Sequence, residues 1–111
     1  MTNKELMGIV QMNSTDRMRL LESKGSDYAS DENALKAFNL AAGFAGVTTA
    51  QAIDVMIGIK LARIESLRGK EAKHESVLDT YKDLQNYLDI RLAQYMQEET
   101  DLLIKRQSEV V

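Results

Sequence analysis

The sequence predicts an all-α fold, a compact bundle of three to five helices with a long C-terminal helix, and three observations carry that expectation. Proline is absent from all 111 residues, where average usage would place about five, so the commonest helix breaker is missing. No stretch shows the strict apolar–polar alternation of a half-buried strand. Apolar residues instead recur at spacings of three and four, between glycines and capping residues.

Thr2 and Glu5 have capping-box spacing and open a first helix carrying Leu6, Ile9 and Val10. The Asn13–Ser14–Thr15 cluster is expected to re-cap or bend the chain before Met18 and Leu21, and Gly25 to stop it. Residues 25–32, GSDYASDE, read as a polar loop. A second helix is expected from about Asp31, with Leu35, Phe38, Ala42 and Ala45 on one face and Gly46 closing it. Thr48 with Gln51 is another capping box; the third helix it opens runs to about Arg68 and ends at Gly69. After the charged connection RGKEAKHE, Ser76 with Asp79 caps the last helix, which extends to Lys105 or beyond.

The length fits a single domain, 1–111, in which residues 96–111 form a helical tail used in oligomerisation. Composition excludes several function classes. Zero cysteine removes disulfides, Cys-ligated zinc and thiol nucleophiles and fits a reducing cytoplasm. A single histidine, His74, removes multi-histidine metal sites. A net charge of −3 provides no basic field for a nucleic-acid polymer. The longest apolar run, Leu40 to Val47, is far short of the roughly 20 residues of a membrane span, and no secretory signal is visible at the start of the chain.

At about 100° per residue, the third helix gathers Ile53, Ile57, Ile64 and Leu67 within about 80° of arc, with Met56 beside them. Lys60 falls inside the same stripe, and an unpaired buried ammonium is costly. Two readings follow. The stem packs in the core while the head snorkels to water, or the lysine sits in a cleft and meets a carboxylate or phosphate, with Arg63 as its neighbour.

The last helix carries a near-heptad seam of Val77, Tyr81, Leu84, Leu88, Leu92 and Tyr95, suited to a neighbouring helix or to a second copy of the chain. Its length, and the apolar Leu102, Leu103 and Ile104 near its end, favour a homodimer or homotetramer. Away from the seam, Glu75, Asp79, Asp83 and Asn86 share one strip. Carboxylates one turn apart repel unless a cation lies among them. Such hard oxygen ligands suit Mg²⁺ or Mn²⁺, although a solvated helix face has the same composition.

Three segments, KGSDYAS (24–30), IKLARIESL (59–67) and HESVLDTYKDLQNYL (74–88), occur in the order seen in small phage and prophage proteins. Together they resemble the MazG-like, all-α nucleoside triphosphate pyrophosphohydrolases, in the nucleotide-modification-associated branch. The resemblance covers about residues 20–90. It implies Mg²⁺-dependent cleavage of a (deoxy)nucleoside triphosphate to monophosphate and pyrophosphate, in the host cytoplasm if the protein is phage-encoded. It assigns Asp79 and Asp83 as catalytic and metal-binding, with Glu75 as a further metal ligand. Lys60 and Arg63 would meet phosphate oxygens, while Lys24, Asp27, Tyr28 and Asn86 would contact the nucleotide. The chain departs from the family pattern in having no E-x-x-E pair. Two other readings therefore stand beside the enzyme: a non-catalytic nucleotide binder, such as a sponge or an inhibitor of a nucleotide-signalled host defence, and a structural oligomerisation bundle.

Overall fold

The computed structural model describes residues 1–28, 33–71 and 76–109, with the backbone alone for residues 24–28. Four helices make up these residues: α1 (Asn3–Tyr28), α2 (Lys36–Ala45), α3 (Thr49–Leu67) and α4 (Val77–Glu109). The described residues contain no strand element, in keeping with the all-α expectation.

Local signals explain most boundaries. The Thr2–Glu5 capping box is reciprocal: Glu5 N donates to Thr2 Oγ1 and Thr2 N donates to Glu5 Oε2, both at 3.1 Å. Thr48 and Gln51 repeat the arrangement at the start of α3, at 3.0 and 2.9 Å. Ser76 Oγ accepts from Asp79 N at 3.0 Å ahead of α4. Gly46 and Gly69 follow α2 and α3 with φ of 69° and 72°, left-handed positions where a side chain would be strained.

Two boundaries differ from expectation. Asn13–Ser14–Thr15 does not break α1, because Thr15 Oγ1 donates back to the Gln11 carbonyl at 3.1 Å and keeps its hydroxyl satisfied within the helix. Gly25 does not end α1 either; a glycine inside a helix costs only about 1 kcal/mol, and the helix continues through Asp27 to Tyr28. At the other side, α2 begins at Lys36 rather than near Asp31. Asn33 Oδ1 accepts from Leu35 N at 3.1 Å, and the Asn33 carbonyl accepts from Lys36 N at 3.3 Å, which forms a turn ahead of the helix.

α3 and α4 form the antiparallel pair on which the rest is built. Asp54 faces Arg91 and Lys60 faces Asp83, so the numbering runs in opposite directions along the two helices. The predicted stripe on α3 faces this interface: Ile53 is fully buried, and Met56, Ile57, Lys60, Ile64 and Leu67 are half-buried. Leu84 meets it from α4, on the same face of that helix as the buried Thr80 and Gln94. α2 crosses α3 at 95° and is tied to it by Thr49 Oγ1 donating to Asn39 Oδ1 at 2.7 Å. α1 rests on α4 through Arg17, whose guanidinium reaches Asp89 at 2.9 Å.

The bundle is open rather than compact. Its radius of gyration is 17.2 Å, against about 13 Å for a compact domain of this length. The departure has a structural cause: α1 before Asn13 and α4 after Gln94 are exposed throughout, and only Ala42, Ile53 and Leu84 are buried apolar residues among those described. Among the described residues no single helix is long and apolar enough to cross a membrane.

Candidate functional site

Because α2 runs nearly perpendicular to α3, it leaves an open cleft between itself, α3 and α4, closed at one side by Leu20 and Leu21 of α1. Its volume is about 790 Å³, within the range of small-molecule sites. The space exists because the facing walls carry alanines: Ala34, Ala37, Ala41 and Ala45 on and before α2, Ala52 on α3 and Ala93 on α4. Phe38 and Tyr87 meet edge to face across it, with ring centroids 6.2 Å apart and planes at 86°. An aromatic edge and a floor of methyl groups suit a flat, largely apolar ligand body.

The α4 wall provides the polar contacts. Asp83, Asn86 and Asp89 lie three residues apart and all line the cleft. The two carboxylates are occupied. Asp83 Oδ2 is 3.0 Å from Lys60 Nζ of α3, and Asp89 Oδ2 accepts from Arg17 Nε of α1 at 2.9 Å. Asn86 stands between them, only 6% exposed, and its Oδ1 is buried without a hydrogen-bond partner. Such an orphaned carbonyl costs about 1–3 kcal/mol.

The structure brings together some of the residues expected at the site and separates others. Lys60 does not snorkel to water: its side chain is 15% exposed and is paired with Asp83, itself 26% exposed. Thus two residues assigned to phosphate and metal, respectively, hold each other across the α3–α4 interface. Arg63, one turn along α3, is half-buried, and neither it nor Lys60 lines the cleft. Asp79 is exposed in the first turn of α4. Lys24, Asp27 and Tyr28 belong by backbone to the end of α1 rather than to a loop, and their side chains lie outside the described residues. Glu75 lies outside the described residues as well. Among the described residues, no three of His, Cys, Asp and Glu come together as a metal-holding group.

Sequence reasoning passed over Asp89, Arg17 and the cleft itself. The D-x-x-N-x-x-D spacing of Asp83, Asn86 and Asp89 was legible as one helix strip. The Arg17 pairing, across 72 positions of sequence, had no local signal. Fold and site together define an all-α protein whose described residues form four helices around an alanine-lined cleft, with one buried unsatisfied amide among those residues. No protein-family model, curated protein or solved structure matches the chain.

Proposed function

We propose that the protein binds a nucleotide, with the base in the cleft between α2, α3 and α4. The observation that carries this reading is the alanine-lined cleft of about 790 Å³ with the Phe38 and Tyr87 rings on its walls. A base supplies a flat body for the Phe38 and Tyr87 edges and for the alanine-lined walls. The resemblance to MazG-like proteins supports a nucleotide over other flat ligands. It also extends the reading to (d)NTP pyrophosphohydrolysis, with Mg²⁺ or Mn²⁺ at Asp79, Asp83 and Glu75, in a cytoplasmic setting.

The described side chains do not by themselves fit that metal. Asp83 is committed to Lys60, and Asp79 stands on the exposed face of α4. Binding is therefore the part of the reading that the geometry supports best. A non-catalytic binder fits it as well as an enzyme does.

Calorimetry of the full chain against a panel of nucleoside mono-, di- and triphosphates, with and without Mg²⁺, tests binding, and pyrophosphate release tests turnover. Ala41→Leu fills the cleft from α2; the variant should keep its helical circular dichroism and lose nucleotide-dependent thermal stabilisation. Nucleotide binding undiminished in Ala41→Leu, or no binding by the unsubstituted chain across the panel, refutes the proposal. Binding without pyrophosphate release supports the binder and discards the hydrolase.

A further inference from the structure

We infer that α4 carries a self-association surface and that its occupant is the α4 helix of a second copy of this chain, lying antiparallel about a two-fold axis near Leu92. The chain exposes 8851 Å², whereas a compact monomer of 12.5 kDa exposes about 6,200 Å². The excess, roughly 2,650 Å² per chain, exceeds the roughly 800 Å² that each partner buries in a standard interface.

The position of the surface follows from how α4 is used within one chain. The helix meets α3 with Thr80, Leu84, Arg91 and Gln94. Centred about 90° round the helix from these lie Tyr81, Leu88, Leu92 and Tyr95, within about 60° of arc. They are 47–59% exposed. With Gln85, Glu99 and Leu102 they follow the alternating three-and-four spacing of a coiled-coil seam. Only Val77 and Leu84 of the predicted seam are covered within the chain. The stripe from Tyr81 to Leu102 is thus continuous in sequence and exposed in the fold.

Orientation follows from the charged and polar positions. A parallel pair would set Glu99 against Glu99 inside the seam, a like-charge contact. An antiparallel pair centred near Leu92, the midpoint of the stripe from Tyr81 to Leu102, sets Glu99 against Gln85 and Tyr81 against Leu102 and Leu103. The paired stretch is about 31 Å long at 1.5 Å per residue.

Light scattering on the full chain after size exclusion, with single-cysteine cross-linking, tests this; the chain has no cysteine of its own. The expected mass is twice the 12.5 kDa of one chain, falling to one chain in Leu92→Lys with helical circular dichroism retained. Met7→Lys, on the exposed face of α1, should leave the mass doubled. If Leu92→Lys fails to fold, oxidised Leu92→Cys decides the matter: it should form a disulfide dimer, whereas Tyr81→Cys should not. A mass of four chains with the Leu92→Cys cross-link intact also supports the α4 pair. A single-chain mass at high micromolar concentration, an undiminished mass in Leu92→Lys, or Tyr81→Cys cross-linking as fully as Leu92→Cys would each overturn the inference.

Discussion

Replacing Lys60 by methionine separates an internal ion pair from a solvated lysine, because the two predict opposite signs. A snorkelling lysine replaced by methionine leaves stability unchanged or raised, since an apolar stem on an apolar stripe loses nothing. In the structure Lys60 Nζ lies 3.0 Å from Asp83 Oδ2, with the side chains 15% and 26% exposed. Exposed pairs contribute about 0.2–1 kcal/mol, whereas stranding one charge of a fully buried pair costs about 3–5 kcal/mol. This pair lies between those limits, so Lys60→Met should lose about 2 kcal/mol, or about 8–16 °C in Tm for a chain of this size. Adding Asp83→Leu removes the stranded carboxylate and should recover most of the loss, giving a coupling of about 1–2 kcal/mol in a double-mutant cycle. Urea unfolding followed by circular dichroism measures all four corners of the cycle. It is run at one protomer concentration, because self-association adds stability by mass action. A Lys60→Met variant within about 0.5 kcal/mol of the parent chain, or single losses that simply add, would refute the pairing.

Two further predictions concern the helix ends. Thr48→Ala removes the acceptor for Gln51 N and half of the α3 capping box; it should cost about 1 kcal/mol, read as a lowered Tm. Gly46→Ala has open space around the new Cβ but places it at φ 69°, so the backbone conformation alone should cost about 1–2 kcal/mol. A Gly46→Ala variant as stable as the parent chain would show that the α2–α3 corner does not require the left-handed residue.

The elements legible in the sequence are those whose causes lie within four residues of one another. The capping boxes at Thr2 and Thr48, the glycines at 46 and 69, and the Ser76 cap all depend on a side chain and a backbone group one turn apart. The apolar stripe of α3 was legible for the same reason, since periodicity alone puts Ile53, Ile57 and Ile64 on one face. Errors of boundary arose where local signals competed. Asn13–Ser14–Thr15 resembles a cap, but Thr15 satisfies its hydroxyl from inside the helix, and in α1 nothing stronger than Gly25 opposed continuation.

The sequence by itself determined that the chain is helical, where α3 and α4 begin, and that α4 carries an apolar seam. It did not determine what each face meets. Periodicity names a stripe but not its partner, so only the tertiary structure could assign Asp83 to Lys60 and Asp89 to Arg17. The same holds for the seam: α3 packs on a different face of α4, leaving Tyr81, Leu88, Leu92 and Tyr95 uncovered. The cleft also belongs to the tertiary level. It depends on the 95° crossing of α2 and α3, which lines up alanines from three helices that no sequence window contains together. Asn86 is unremarkable as a residue type on a helix. Burial beside that cleft makes its carbonyl oxygen an unmet acceptor, because the cost of a missing hydrogen bond arises only once water has been excluded.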